Sequence, residues 1–436
     1  MKNKALNIIK ELKSNGYQAY FVGGCVRDLL LGEPVKDYDI TTNATPEEVS
    51  SVFGKTVTCG NTFLVSIVDG IEVATYRKDM SDKAIHASTL EEDIIRRDFT
   101  INAFVMDDKN NILDIVNGEQ DLRNKTLRFI GDAKTRIIED PARIIRGLRF
   151  MAKYNLTPET NTHFAIHKNR DLVKTLPMER IRDEIIKAFK SSGAYKFVQL
   201  LDEYELLEYV LPSVYRLKGI QGGKHHHETV YTHCINALKA IDDDKHSYVL
   251  KLACLYHDVG KYEWTYNSFG EPIFIGHQDR SYLLAKNDLV RLKFTNEVIH
   301  YVSKLCLYHM FHIMDKDRIT VTPKRFKKLL VLLSDSNIQL KDWLLLRYCD
   351  KRANMLTDFT FNDLRNTYKQ MVKILNTKPP FSVKDLAING IDVMNMGVPQ
   401  GKLIGNILNL LLEKVIAGEV ENNREKLLDV TESLLH

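Results

Sequence analysis

The chain has little that would place it outside ordinary soluble proteins. Its six cysteines (25, 59, 234, 254, 306 and 349) are scattered, with no Cys-x-x-Cys pair, which fits free thiols in a reducing compartment. No run of about 18 apolar residues occurs, so a membrane span is not expected. The start, Met1-Lys2-Asn3-Lys4, runs into an amphipathic helix and lacks an apolar signal core, so a cytoplasmic location is expected. Net charge is only +4, so any basic surface must be local. Repeats and a low-complexity tail are also lacking. What remains is an ordinary balance, 44% hydrophobic and 27% charged, over 436 residues. That length is too great for one core and suggests two to four domains or subdomains.

One tract stands out. Tyr20-Phe21-Val22-Gly23-Gly24-Cys25-Val26-Arg27-Asp28 ends an apolar strand in a double glycine, and Lys36-Asp37-Tyr38-Asp39-Ile40 follows. Side chains repeat every second residue along a strand, so Asp37 and Asp39 are expected on one face. Such a pair can hold Mg²⁺ ions that bridge a nucleotide triphosphate and an attacking hydroxyl. Gly23 and Gly24 let backbone amides approach phosphate oxygens near a helix N-terminus. The tract therefore points to nucleotidyl transfer.

Residues 1–130 mix both periodicities. Helices are expected over 4–14, 26–31 and 46–53, the last opened by Thr45-Pro46-Glu47-Glu48. Strands are expected near 18–22, 37–41, 64–68, 72–76 and 103–107. After Asp140-Pro141 the strand signals disappear, and 143–154, 160–169, 178–190 and 194–203 carry helical spacing. Residues 213–228 read as a weakly patterned link with Gly219, Gly222, Gly223 and His225-His226-His227. A helical block follows to about 376, then a boundary at Lys378-Pro379-Pro380 and a final helical segment. The fold class is α+β: a small mixed α/β head followed by a mostly α-helical body.

Further motifs strengthen the reading. Glu72 sits in a strand that can pair beside the Asp37/Asp39 strand and offers a third carboxylate for a metal or a hydroxyl proton. Arg96-Arg97-Asp98-Phe99-Thr100-Ile101-Asn102-Ala103 sets two guanidinium groups beside an acceptor, suited to triphosphate and ribose. Asp114, Gly118 and Asp121 close the head with a turn and a carboxylate. In Glu139-Asp140-Pro141-Ala142-Arg143-Ile144-Ile145-Arg146, Asp140 suits an N-cap before Pro141, with the arginines exposed. An acceptor–donor pair, Asp140 and Arg143, also matches the Watson–Crick edge of a base.

Together these motifs resemble the class II tRNA nucleotidyltransferases (CCA-adding enzymes) and the bacterial poly(A) polymerases related to them. The resemblance runs nearly position by position over Val22–Asp28, Leu30-Leu31-Gly32, Asp37–Asp39 and Arg96–Ala103. It implies a nucleotidyltransferase head of the DNA polymerase beta type. Asp37 and Asp39 would hold two Mg²⁺, with Glu72 assisting the 3′-hydroxyl. Gly23, Gly24 and Arg27 would engage the triphosphate, while Arg97, Asp98 and Asn102 hold phosphate and ribose. Asp140 and Arg143 would read the base of CTP and then ATP without a template, with Glu139 orienting Arg143 and Arg146 continuing the helix. Glu179-Arg180-Ile181-Arg182-Asp183-Glu184 would be a helix stabilising that pocket.

A second metal site is suggested by His233, His257-Asp258 and Asp350, which can bind a divalent transition metal or Mg²⁺ if helices bring them together. His277 and His309 would complete a six-ligand, two-metal set. The pattern resembles the HD phosphohydrolase domain fused to many bacterial nucleotidyltransferases, and implies hydrolysis of 2′,3′-cyclic ends or similar phosphates, or a degenerate domain that only supports tRNA. The expected domains are a head over 1–135, a base-recognition neck over 136–212, an HD-type helical domain over 213–376 and a tRNA-binding tail over 377–436. In that tail Gly401, Lys402 and Gly405 suit an RNA phosphate or a tight helix-packing contact. Lys402 stands where the family usually has Pro.

The resemblance implies addition of CCA to the tRNA 3′ end from CTP and ATP. It fails at residues 78–89, where the family usually has a longer charged loop with an Asp-x-Arg-Arg-Pro-like core. Enzymes that add only CC have lost that loop, so a CC-adding enzyme is an alternative. A poly(A) polymerase, or an HD phosphohydrolase with an RNA-binding head, are further ones.

Overall fold

A computed structural model describes residues 1–435 except 55, 59–63, 81–82, 223–227, 267, 269, 271, 316–319, 355–359 and 377–381. For 57, 58, 78–80 and 83–85 it describes the backbone alone. Cys59, Gly223, the three successive histidines and Lys378-Pro379-Pro380 lie outside the described residues. The chain forms two compact units, Met1–Ala188 with Gln199–Leu206, and Phe189–Val198 with Leu207–His436. The five described cysteines are free and buried. Among the described residues no helix is long and apolar enough to cross a membrane.

The first unit is built on a seven-stranded sheet of order β3-β4-β5-β2-β1-β8-β9. Its strands are β1 (Ala19–Val22), β2 (Ile40–Thr42), β3 (Val57–Thr58), β4 (Val65–Val68), β5 (Ile71–Thr75), β8 (Val105–Met106) and β9 (Ile112–Leu113). Short β2 and β8 run antiparallel on either side of β1, and β2 lies parallel to β5. Helix Lys2–Ser14 buries Ala5, Ile8, Ile9 and Leu12, spaced by three, one and three residues and so on one helical face. Each such aliphatic side chain removed from water contributes about 1.5–3 kcal/mol. Helix Pro46–Phe53 begins at the expected place with a capping box between Thr45 and Glu48.

Three differences from the sequence reading matter. The expected strand over 37–41 begins only at Ile40, so Asp37 and Asp39 precede it. Arg77–Met80 (β6) and Lys83–His86 (β7) pair antiparallel, where a loop was expected. Strand pairing also continues into the helical region: Thr126–Leu127 pairs with Thr157–Pro158, and Thr265–Tyr266 with Pro272–Ile273. Both are two-residue ladders, too short to carry a period-2 signal.

Among its described residues the second unit is helical apart from the Thr265–Tyr266 and Pro272–Ile273 pair and two isolated bridges. Helices Val230–Lys239, Tyr248–Tyr256, His277–Arg291, Asn296–Tyr308 and Leu340–Ala353 pack on one another. The expected link begins with a short helix, Pro212–Tyr215. The last segment closes its own core, with Leu386, Ile388, Val393, Leu411, Val415 and Leu427 buried together.

Candidate functional site

The first constellation begins at Gly23. Its φ of +77° turns the chain from β1 into helix Gly24–Leu30. A Cβ built there would lie 3.2 Å from an Arg97 Nη, so the glycine both permits the turn and admits the arginine. Val22 N–H donates to the Asp39 carbonyl at 3.0 Å, which holds Asp39 at the end of β1. In the parallel β2–β5 pairing Ile40 faces Val73, so Glu72 stands beside Asp39. Asp37 and Glu72 are exposed and Asp39 is half-buried.

Burial raises the Asp39 carboxyl above its usual range, and the charges of Glu72 and Asp37 add to this against Arg97. The site thus holds negative charge in excess, and these residues fit divalent cations. The three carboxylates do not, however, converge with ligand atoms all within 4.8 Å of one another, as two sets elsewhere do.

Arg27 is buried at the foot of the site. It donates to Asp28 Oδ1 through Nε and Nη2 at 2.9 and 2.7 Å, and through Nη1 to Asn102 Oδ1. Asn102 Nδ2 in turn donates to Asp98 Oδ1 at 3.2 Å, and Asp98 pairs with Arg146. Burial alone would push Asp98 upward, but Arg146, Asn102 and the Phe99 amide hold it below the usual carboxylate range. Arg27, Asp98, Asn102 and Arg146, far apart in sequence, are therefore one connected network.

Sequence reasoning missed three residues here. Asp93 is fully buried; it accepts from Arg96 Nε and Nη2 at 3.0 and 2.8 Å and from Arg97 Nη2 at 3.0 Å. Burial opposes its ionisation, yet Arg97 and Arg96 keep its carboxyl below the ordinary value. Its spacing, three and four residues before the arginines, is the signal that would have found it. With one edge fixed in this way, Arg97 keeps a buried Nε with no acceptor among the described residues. Tyr154 places its ring 4.5 Å from the Arg27 guanidinium and donates its hydroxyl to Asp28 Oδ1 at 2.9 Å. Arg136 donates to the Arg97 carbonyl at 2.8 Å and to Glu139 at 2.7 Å. No local pattern announces either of these two.

The segment expected to read the base is arranged otherwise than an exposed, Asp-capped helix. Glu139 ends a short helix, Ala133–Glu139, which periodicity did not reveal. Pro141 is the N-cap of helix Ala142–Tyr154, whose first amide, Ala142 N–H, is accepted by Asp140 at 3.1 Å. Arg143 is buried, with Nη1 on Glu139 Oε2 at 2.8 Å and on the Arg136 carbonyl at 2.7 Å. Asp140 is gripped by Arg180, with both Nη–Oδ distances 2.9 Å. Buried Arg149 donates to buried Glu184 at 2.6 Å, joining the same two helices. Asp140 and Arg143 are thus each held by a different partner, and the Glu179–Glu184 segment supports one of them.

The second constellation gathers all six ligands expected of it. His233, His257, Asp258 and Asp350 form one set, and Asp258, His277 and His309 another, each with ligand atoms within 4.8 Å of one another. Asp258 is common to both. Imidazole Nδ1 atoms of His257, His277 and His309 face the carbonyls of Cys254, Phe274 and Cys306 at 2.8, 2.8 and 2.6 Å, and that of His233 faces Glu228 at 3.2 Å. With Nδ1 so occupied, each Nε2 is left for the centre, the usual support of metal-binding histidines.

Both Asp258 oxygens are buried without an aligned donor, although Lys261 Nζ and His277 Nε2 stand 2.7 and 3.1 Å away. Burial opposes a charged His257, but Asp258 and Asp350 hold it up to about 10, while burial pushes His309 down to about 4. Four imidazoles and two carboxylates gathered in this way fit a pair of divalent ions. Gly260 makes the packing feasible: a Cβ there would meet the His277 carbonyl at 2.1 Å.

In the tail, Gly401 is the N-cap of helix Lys402–Ala417. Added Cβ atoms at Gly401 and Gly405 would meet nothing within 4 Å, so neither makes the tight packing contact that was one reading of their spacing.

Three family models match the chain. They are the poly A polymerase head domain over residues 19–128, a probable RNA and SrmB-binding site of polymerase A over 155–217, and a putative tRNA nucleotidyltransferase domain 2 over 283–431. The CCA-adding enzyme of Ligilactobacillus salivarius is 30% identical, covering 99% of this chain and 96% of that protein. Poly(A) polymerase I of Haemophilus influenzae is 38% identical over 48% of this chain and 51% of its own length. Among solved structures, the CCA-adding enzyme of Bacillus stearothermophilus in complex with CTP aligns with a TM-score of 0.74 and 27% identity, covering 99% of this chain and 96% of that one. The Thermotoga maritima CCA-adding enzyme complexed with tRNA aligns at 0.57 and 20% identity over 99% and 95%, a likeness of fold.

Proposed function

The chain belongs to the family of CCA-adding enzymes, and from that premise we propose that it rebuilds the 3′-terminal CCA of tRNA from CTP and ATP. The observation that carries this is the grouping of the carboxylates with an arginine at the glycine turn: a Cβ at Gly23 would lie 3.2 Å from Arg97, and Asp39 feels the charges of Glu72, Arg97 and Asp37.

The tRNA 3′-hydroxyl attacks the α-phosphorus of the nucleotide; the new phosphodiester forms as the bond to pyrophosphate breaks. Asp37 and Asp39 would hold Mg²⁺, which when bound supplies charge stabilisation to the triphosphate and activates the hydroxyl. Glu72, beside Asp39, is suited to receive the hydroxyl proton. Arg27 and Arg97, fixed by Asp28 and Asp93, take the triphosphate, with the amides of Gly23 and Gly24. Asn102, itself held by Asp98, fixes Arg27, and the two are suited to the ribose. Arg143, oriented by Glu139, and Asp140, oriented by Arg180, present a donor and an acceptor to the base edge. The open N-terminus at Gly401, Lys402 and Gly405 is suited to an RNA phosphate. We assign residues 1–135 to catalysis, 136–212 to base recognition, 213–376 to the second centre and 377–436 to tRNA, in a cytoplasmic protein.

The test is incubation of tRNA lacking CCA with CTP, ATP or both, followed by sizing of the products. Growth to CCA is expected. Arrest at CC would instead follow from the short stretch at 78–89, and long A tails would indicate a poly(A) polymerase. Asp37→Ala with Asp39→Ala is expected to abolish incorporation without loss of fold; retained incorporation would sink the assignment.

A second activity is supported by the converging six-ligand cluster: metal-dependent hydrolysis of a phosphate ester. Uptake of Mn²⁺, Ni²⁺ or Mg²⁺ and release of phosphate or ring-opening of a 2′,3′-cyclic phosphate would be measured on the full chain. No turnover with any of the three metals retires it.

A further inference from the structure

Arg136 touches both halves of the nucleotide site. It lies three residues before Glu139 on helix Ala133–Glu139, its side chain 11% exposed against 41% for that of Glu139. Nη2 donates to the Arg96 carbonyl and, at 2.8 Å, to the Arg97 carbonyl, 40 and 39 positions away in the chain. Nη1 donates to Glu139 Oε2 at 2.7 Å. The same Glu139 oxygen accepts from Arg143 Nη1 at 2.8 Å, and that nitrogen also donates to the Arg136 carbonyl at 2.7 Å. Arg143 Nη2 stands 3.5 Å from the Arg96 carbonyl.

These bonds close a circuit. Arg97, whose guanidinium lies at the Gly23 turn, is fixed at its tip by Asp93 and along its backbone by Arg136. Arg143 is fixed by the carboxylate that Arg136 also holds. One planar guanidinium thus spans the carbonyls behind the triphosphate arginine and the carboxylate behind the base-reading arginine. A fork of donors in fixed directions can do this, whereas a lysine ammonium is a compact point charge and cannot reach all three. The two cations also share one carboxylate oxygen through charge-assisted bonds. Whatever draws Arg143 toward a base leaves more of Glu139 to Arg136, and a shift of Arg136 moves the Arg96–Arg97 peptide with it.

We propose that Arg136 is a positioning residue for nucleotide choice: it carries the fit of the base at Arg143 to Arg97, and a nucleotide whose base does not engage Arg143 leaves the triphosphate arginine out of line. The inference rests on reading this unit as the transferase that uses CTP and ATP. Arg136 acts through Arg143 and Arg97. Discrimination through it falls on turnover more than on binding, because alignment of the reacting phosphate is an interaction realised in the transition state.

Incorporation of C by the unaltered full chain into a tRNA lacking CCA is measured first; its absence overturns the transferase reading and this assignment with it. Then kcat and KM are determined with CTP and with UTP for that protein, for Arg136→Ala and for Arg136→Lys. UTP has the same ribose and triphosphate, but its Watson–Crick edge puts an acceptor where cytosine has its amino donor. Arg136→Ala is expected to lower kcat for CTP about tenfold or more, with KM for CTP and kcat for UTP changed less than about threefold. The CTP-to-UTP ratio of kcat then falls about tenfold. Arg136→Lys is expected to lose less of the ratio, in the same direction. Inhibition by inorganic tripolyphosphate, which has no base, is expected to be the same in all three proteins.

Equal falls with CTP and UTP, or weakened tripolyphosphate inhibition, would mark damage to the fold or to Arg97 alone and overturn the assignment while leaving the transferase reading standing. An unchanged ratio overturns it too. If Arg136→Ala does not melt cooperatively, Arg136→Lys, which keeps the charge and a donor, decides by the same ratio. Glu139→Gln breaks the circuit at its shared carboxylate, so combining it with the Arg136 variant is expected to lower the ratio no further than the larger single effect. Additive losses would show two independent contacts and no coupling.

Discussion

Single side chains set the charge balance of the nucleotidyl-transfer site. Asp93 is the clearest case, because it holds two guanidinium groups while itself buried. Removing its charge by Asp93→Asn leaves those groups unbalanced, at a cost of about 3–5 kcal/mol. Its folded pKa lies below the ordinary 3.8, so its stabilisation is complete above that pH and is lost as the pH falls through the lower folded value. Thermal melting of both proteins between pH 7 and pH 3 checks this: the gap is expected to be constant down to about 3.8 and to narrow below it. A gap that widened in acid would contradict the sign. Tyr154 acts on the same site through Arg27 by a ring contact and a hydrogen bond. Tyr154→Phe keeps the ring, whereas Tyr154→Ala removes both. A cation–π contact is worth about 0.5–2 kcal/mol. The alanine variant is therefore expected to raise KM for CTP about tenfold and the phenylalanine variant about two- to threefold, with kcat less affected. Equal effects would remove the ring from the argument.

At the scale of elements, close approaches and cross-links between helices decide geometry. Gly260 lets the segment Val259–Tyr262 lie directly on the start of helix His277–Arg291, where its N–H donates to Ser281 Oγ at 2.9 Å. An added methyl group would collide with backbone, so Gly260→Ala must separate His257-Asp258 from His277. Overpacking of this kind costs about 1–3 kcal/mol. A lower melting temperature and a reduced metal stoichiometry are expected together; unchanged metal content would show the cluster tolerates the shift. The Asp140–Arg180 pair similarly ties the start of helix Ala142–Tyr154 to helix Met178–Phe189. Arg180→Ala frees the Asp140 carboxylate to rotate. Competition between CTP and ATP on a tRNA ending before its first C is expected to show weakened discrimination, with total incorporation less affected. Most elements were legible in sequence: helix Pro46–Phe53 and helix Thr160–Asn169 begin and end where caps and periodicity place them. The short ones were not. Ala133–Glu139 and the two-residue ladders have too few residues to display a period, and Asp37–Asp39 precedes its strand, with only the Asp39 carbonyl accepting from Val22 N–H.

For the whole molecule, two compact units carry two sets of ligands, and binding to each is expected to stabilise its own unit. A ligand at one hundred times its Kd adds about 2.7 kcal/mol to the state that binds it. Hydrogen exchange of the full chain is expected to slow over 19–42 and 90–106 when CTP is added to Mg²⁺-loaded protein, with 230–260, 277–309 and 340–353 slowed by metal but not further by CTP. Protection by CTP that spread equally over both regions would contradict separate sites.

The sequence by itself pointed to the chemistry: the order Gly-Gly-x-x-Arg-Asp, Asp-x-Asp and Arg-Arg-Asp reads as a nucleotidyl-transfer site, and the chain belongs to the family of CCA-adding enzymes. It also named all six residues of the second cluster, spread from 233 to 350. Only the tertiary structure decided who holds whom. Asp140 goes to Arg180 and Arg143 to Glu139, Tyr154 reaches Asp28 across 126 positions, and Asp258 becomes the carboxylate common to both ligand sets. The reason is range: caps, turns and periodicity are settled by neighbours a few residues apart. Partners for buried charges are chosen among whatever side chains packing brings within a few ångströms, and an unpartnered choice there is costly.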